Sequence, residues 1–183
     1  MKKIIALIVV CIMMFSFTGC EKKDDGNTLD IFYLNIDATA TVPEKYELKG
    51  SDESVDKQVD ELLDKLSSKP DDSKLRKTIP DDVEIKKHEE NAYSCTIDFS
   101  KSYYDMTAAE EVLMRASVVR TLTQLKQITY VMFTVDKAPL MNSDGEVIGS
   151  MNADDFVENP GEQINSSVKE TLTLFFADKE GTG

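Results

Sequence analysis

The residues best suited to chemistry are few: three cysteines, one histidine and 34 acids in a chain of 183 residues. Cys11 lies inside a long apolar run, Cys20 closes that run, and Cys95 falls at an inward position of an alternating strand, where a free thiol acts as a small hydrophobe. Three cysteines so placed offer no disulfide framework. A nucleophilic Cys95 would need an exposed, electropositive setting with a basic neighbour, and its inward direction argues against one. His88 is the single histidine, which excludes a catalytic histidine dyad and a multi-histidine metal site by count; it reads as a strand-end residue. Asp144, Asp154, Asp155 and Glu158 invite a calcium reading but lack the regular ligand spacing of an EF-hand loop. Like Asp81-Asp82, they read as solvated acids. No Gly-rich phosphate loop, Ser-centred elbow, zinc-type spacing or helical carboxylate pair is present. The expectation is a non-enzymatic chain with no catalytic residues, no metal and no cofactor.

The elements that must position these residues centre on residues 93–135. Tyr93, Cys95, Ile97 and Phe99 alternate with Ser94, Thr96 and Asp98, as a half-buried strand requires. Thr107 with Glu110 three residues later reads as a capping box, so a helix starts near Ala108 and is expected to run to about Lys126. That helix carries two apolar stripes. Ala109, Val112, Leu113, Ala116 and Val119 form one, and Met114, Val118, Leu122 and Leu125 form a second on another side of the helical wheel. One sheet cannot cover both, so the second stripe packs either on another helix of the same domain or against another domain or subunit. Met114, Val118, Leu122 and Leu125 are therefore candidate interface residues. Val131, Phe133 and Val135 alternate in the closing strand.

Before this platform the spacing predicts a strand over residues 29–34 and a short one over 45–49. A helix follows with a single stripe of Val55, Val59, Leu62, Leu63 and Leu66, and then a strand over 83–88. Glu89-Glu90-Asn91 reads as the tight turn of a hairpin into the central strand. After Val135, Asn142-Ser143-Asp144-Gly145 marks the turn of a smaller C-terminal hairpin, and Asn152 caps a single helical turn. The order fits an α+β domain: a small mixed or antiparallel sheet with two amphipathic helices on one face.

Net charge of −13 argues against nucleic acid and against electrostatic binding to anionic lipid heads, so any membrane tie must be covalent or hydrophobic. Residues 1–19 have a basic start at Lys2 and Lys3 and an apolar run, the form of a secretory leader. Thr18-Gly19-Cys20 resembles a bacterial lipobox, with Phe17 where the pattern usually has Leu, Ala or Val. The resemblance implies diacylation of Cys20, cleavage before it, and tethering to the outer face of the cytoplasmic membrane through residues 20–27. Near the C-terminus, Thr171-Leu172-Thr173-Leu174-Phe175-Phe176 repeats the pattern of Thr28-Leu29-Asp30-Ile31-Phe32-Tyr33. Residues 162–183 therefore read as a linker and the first strand of a truncated second copy.

Several segments together resemble the GerMN family of sporulation and spore germination domains. They are Val42-Pro43-Glu44, Leu62-Leu63 before Lys69-Pro70, Ile79-Pro80, Ile97-Asp98-Phe99-Ser100, and Asp155-Phe156-Val157 with Asn159-Pro160-Gly161. Most specific is Thr121-Leu122-Thr123-Gln124-Leu125, followed by Ile128, Val131, Phe133, Val135 and Asp136. The resemblance places a GerMN-like domain at residues 28–161. It implies a fold similar to the ring-building motif of secretion and sporulation assemblies, and it carries over no catalytic residues. The implied role is an interaction or assembly module with envelope or sporulation proteins as partners, self-association included. The alternative is a lipoprotein that captures a solute or a wall fragment, for which a pocket lined by Tyr103, Tyr104 and Tyr130 would speak.

Overall fold

The computed structural model describes residues 27–156. The leader, Cys20, the tether and the strand echo at Thr171 lie outside the described residues. Strands β1 (Thr28–Asn35) and β2 (Thr41–Glu47) form an antiparallel hairpin, followed by helix α1 (Val55–Ser67) and the short β3 (Leu75–Arg76). Next come β4 (Ile85–Asn91), β5 (Ser94–Phe99), helix α2 (Ala108–Leu122), β6 (Tyr130–Val135) and β7 (Ala138–Pro139). The α+β class holds, but the strands divide into two sheets: an antiparallel one in the order β2-β1-β3 and a mixed one in the order β4-β5-β6-β7. The sole parallel pair among the described residues is β5 with β6, because α2 carries the chain back across the sheet.

One core joins all the layers. Leu29, Ile31 and Tyr33 of β1 pack with Val59, Leu62, Leu63 and Leu66 of α1 and with the inward residues of β5 and β6. The single stripe of α1 explains its helix, since its apolar side chains recur at helical spacing and each contributes roughly 2 kcal/mol when buried. Helix α2 opens on the expected capping box, with the Glu110 amide donating to Thr107 Oγ1 and the Thr107 amide to the Glu110 carboxylate. It ends at Leu122, four residues earlier than the spacing suggests, and Thr123 to Gln127 continue as turns. Pro43 sits within β2, where the strand is an edge and a missing donor costs little.

The free half of β1's second edge is closed by side chains. Gln124 accepts from the Asp30 amide at 2.8 Å and donates to its carbonyl at 2.7 Å. The Phe32 amide donates to Thr121 Oγ1 at 3.1 Å, and Thr78 Oγ1 donates to the Phe32 carbonyl at 2.8 Å. These groups stand where a neighbouring strand would, so no bare ladder remains there to template aggregation. The Thr121-to-Leu125 segment is thus a structural device joining α2 to β1.

Two local expectations are corrected. Glu89, Glu90 and Asn91 belong to β4, and the chain turns at Ala92 and Tyr93, with Ala92 at φ 54°. Tyr93 is consequently exposed at the turn instead of opening the inward face of β5. The C-terminal hairpin forms as a minimal one: Met141 bridges Val147, and Asn142 Oδ1 accepts from the amides of Asp144 and Glu146 around Gly145 at φ 79°.

Candidate functional site

The second stripe, open to packing within its own domain or against a partner, is inside the molecule. Met114, Val118 and Leu122 are fully buried and Leu125 is 5% exposed, in the same cluster as the apolar side chains of α1. The physical reason is that α1, β1, β5 and β6 supply apolar side chains to the one cluster that encloses it. The hairpin β1-β2 also packs on α2, where Arg120 lies over the Phe32 ring at 4.0 Å while donating to Thr41. A helix apolar on two sides is buried on two sides, here within its own domain.

The apolar surface lies instead at the opposite end of α2 and belongs to the first stripe. Val112 (45% exposed), Tyr104 (57%), Met141 (45%) and Val147 (58%) stand out on three neighbouring elements: α2, the 3-10 turn Lys101–Asp105, and the small hairpin. Tyr104, Val112 and Met141 border a depression of about 410 Å³ that Tyr103, Arg115 and Leu140 also line. Its floor is rigid. Tyr103 is buried against Phe99, ring centroids 5.4 Å apart, and donates from its hydroxyl to Glu111 at 2.6 Å. Burial and the Glu111 carboxylate hold that phenol far above its ordinary range, so it remains a donor. Arg115 forms an ion pair with Glu111, donating a hydrogen bond from Nη2 at 2.9 Å with Nε 2.6 Å from the other oxygen, and this pair fixes the rim. Tyr130, which a tyrosine-lined ligand pocket would require beside Tyr103 and Tyr104, lies on β6 and does not line the depression.

A second depression, a cleft of about 710 Å³, runs beside β3. Leu34, Ile36, Leu75 and Met106 supply apolar walls, and Lys69, Arg76 and Lys77 face Asp81 and Glu110 around them. Lys77 is paired with Asp81.

The structure also assembles a polar cluster that the sequence reading left dispersed. Because β4 runs on to Asn91, His88 and Glu90 stand two residues apart on its inward face, and Glu90 is opposite Cys95 on β5. His88 Nδ1 is 2.7 Å from Glu90 Oε1, and Nε2 is 2.8 Å from Asp60 Oδ1 on α1. Cys95 Sγ lies 4.0 Å from Glu90. Burial opposes the charged imidazole, but the two flanking carboxylates outweigh it and raise the pKa of His88 above its ordinary value. Burial, with the Glu90 charge, pushes the Cys95 thiol up to about 12, which removes it as a nucleophile. The signal for the cluster in the sequence is the His-x-Glu alternation at 88 and 90, masked by the turn chemistry of Asn91.

Among known proteins, the profile of a family described as Sporulation and spore germination matches residues 30–141. Among solved structures, the chain is similar to the first GerMN domain of the sporulation protein GerM from Bacillus subtilis (TM-score 0.55, 17% identity), covering 70% of this chain and 98% of that one. It is also similar to the tandem GerMN domains of the same protein (TM-score 0.52, 18% identity), covering 70% of this chain and 47% of that one. A third similarity is to a candidate lipoprotein from Clostridium perfringens (TM-score 0.48, 15% identity), covering 70% of this chain and 90% of that one. A search of curated proteins finds no match.

Proposed function

The chain belongs to the sporulation and spore germination (GerMN) family, and from that membership we propose that it is a lipid-anchored extracytoplasmic interaction module acting in sporulation or germination. The observation that carries the interaction role is the exposed apolar rim of Tyr104, Val112 and Met141, three side chains gathered from three separate elements onto a rigid floor. Apolar side chains gathered in this way mark contact surfaces more often than scattered ones do. The anchor is Cys20, whose two acyl chains would hold the domain at the outer face of the cytoplasmic membrane. Among the described residues no helix is long and apolar enough to cross a membrane. The partner is another envelope or sporulation protein, or a second copy of this domain. Its high negative charge disfavours nucleic acid.

The test is genetic and biochemical together. Deleting the gene in a spore-forming bacterium that encodes it should lower the yield of heat-resistant or germination-competent spores, and the intact gene should restore it. Cys20→Ala should release the protein from the membrane fraction. Val112→Asp should accumulate normally yet fail to complement. Unchanged spore yield and germination on deletion would remove the sporulation role, and full complementation by Val112→Asp would move the contact off this rim.

The alternative, a ligand-binding envelope lipoprotein, is favoured by the cleft beside β3. Its volume of about 710 Å³ lies in the range of small-molecule sites and it combines apolar walls with paired charges. Binding of wall fragments or small solutes, measured by calorimetry and lost on Leu75→Asp, would support that reading.

A further inference from the structure

We propose that His88, Glu90 and Cys95 form a binding site for a single divalent transition-metal ion of the zinc class. One nitrogen, one carboxylate oxygen and one sulfur converge, all three within 4.8 Å of one another. A tetrahedral zinc site holds such atoms roughly 3.5 Å apart, given arms of about 2.0–2.3 Å. The existing spacings, 2.7 Å from His88 Nδ1 and 4.0 Å from Cys95 Sγ to Glu90, reach that only with small side-chain rotations of all three residues. Asp56 Oδ1 lies 4.0 Å from His88 Nδ1 but outside the converging set, so the fourth position is open to water.

Asp60 points independently to the same site. With a metal on Nδ1, Nε2 must carry the remaining proton, and Asp60 Oδ1 already accepts there at 2.8 Å. A carboxylate behind a ligating imidazole fixes its tautomer and orientation and raises its basicity, the arrangement found behind metal-bound histidines generally. The donor set also selects the ion. Calcium and magnesium take oxygen shells, whereas a mixed sulfur, nitrogen and oxygen set suits zinc and its neighbours.

The exchange balances. Without an ion, the imidazolium bridges Glu90 and Asp60 and Cys95 keeps its proton. A divalent cation enters as two protons leave, one from the thiol and one from the imidazolium, so the formal charge of the cluster is unchanged. Entry is from the side of α1, where Asp56 and Asp60 are more than half exposed, since Cys95 itself is fully buried. The ion would tie α1 to the β4-β5 hairpin. It is independent of the apolar rim and of the sporulation role.

The experiment uses the full chain in detergent with Cys11→Ser and Cys20→Ser, which leaves Cys95 as the sole thiol. Cobalt(II) should bind with one equivalent per chain, giving a thiolate-to-cobalt charge-transfer band in the near ultraviolet and intense tetrahedral bands in the visible; zinc should displace it. Adding Cys95→Ser should abolish the charge-transfer band. Asp60→Asn, which leaves every ligand in place, should weaken zinc binding by about 10- to 100-fold. Absence of the thiolate band in the parent chain overturns the proposal. Zinc affinity unchanged by Cys95→Ser also overturns it, by placing the ion on surface acids. If Cys95→Ser does not fold, the cobalt spectrum of the parent decides alone.

Discussion

The two helices are similar in length, 13 and 15 residues, yet the molecule uses them in opposite ways. Helix α1 buries one stripe and turns Asp56, Lys57, Asp60 and Asp64 to solvent. Helix α2 is enclosed on two sides along its second half, where every residue from Ala116 to Val119 is buried, and exposes Val112 near its start. Polarity therefore locates a contact surface on neither helix by itself. The wet face of α1 is tied back to the domain through Glu61, which accepts from Tyr46, from the Lys49 amide and from the Gly50 amide. The apolar second stripe of α2 is core. What remains open is the short end of α2 that no other element covers.

The sharpest break of that comparison is Val118→Asp. A carboxylate at a fully buried position should cost on the order of 4 kcal/mol or more and abolish the cooperative thermal transition seen by circular dichroism. A folded variant with only its association altered would mean that the second stripe is a surface after all. Next in size is Gln124→Ala, which leaves the Asp30 amide and carbonyl without their partner. Chemical denaturation should show a loss of about 2–3 kcal/mol, and a loss below about 0.5 kcal/mol would deny α2 its role as a substitute strand.

Glu61→Gln tests the tied face of α1. Burial works against the Glu61 carboxylate, but the hydrogen bonds from Tyr46, Lys49 and Gly50 outweigh it and hold its pKa below the ordinary 4.5. A depressed folded pKa stabilises the native state fully above the unfolded value, and that stabilisation is lost as pH falls through the folded one. The variant should therefore lose about 2 kcal/mol at neutral pH, and its deficit relative to the parent should vanish as pH drops below 4.5. A deficit independent of pH would assign the effect to shape instead of charge. Smallest is Val112→Asp, with a stability change within about 0.5 kcal/mol because the position is already open. Sedimentation over a concentration series then reads association alone: any concentration-dependent mass of the parent should disappear in this variant. A parent that stays monomeric at every concentration would point to a heterologous partner.

Elements with strong local signals could be read directly. The Thr107–Glu110 box, the stripe of Val59, Leu62, Leu63 and Leu66, the alternation of Cys95, Ile97 and Phe99, and the turn at Gly145 all depend on neighbours within a few residues. Each appears where its spacing placed it. The turn at Ala92-Tyr93 was not legible, since neither residue carries turn chemistry while Asn91, inside the strand, does. That small shift concealed the facing of His88, Glu90 and Cys95, because extending a strand by three residues decides which side chains share its inner face.

The sequence by itself thus determined the class, the capped and striped helices and the alternating strands, because periodicity and capping are local physics. Only the tertiary structure decided that the strands form two sheets and that the second stripe of α2 is enclosed within its own domain. It also decided that Thr121 and Gln124 complete a strand 90 residues away and that one histidine meets a thiol and three carboxylates. These depend on which distant surfaces meet, and a stripe of apolar side chains specifies that it will be buried without specifying by what.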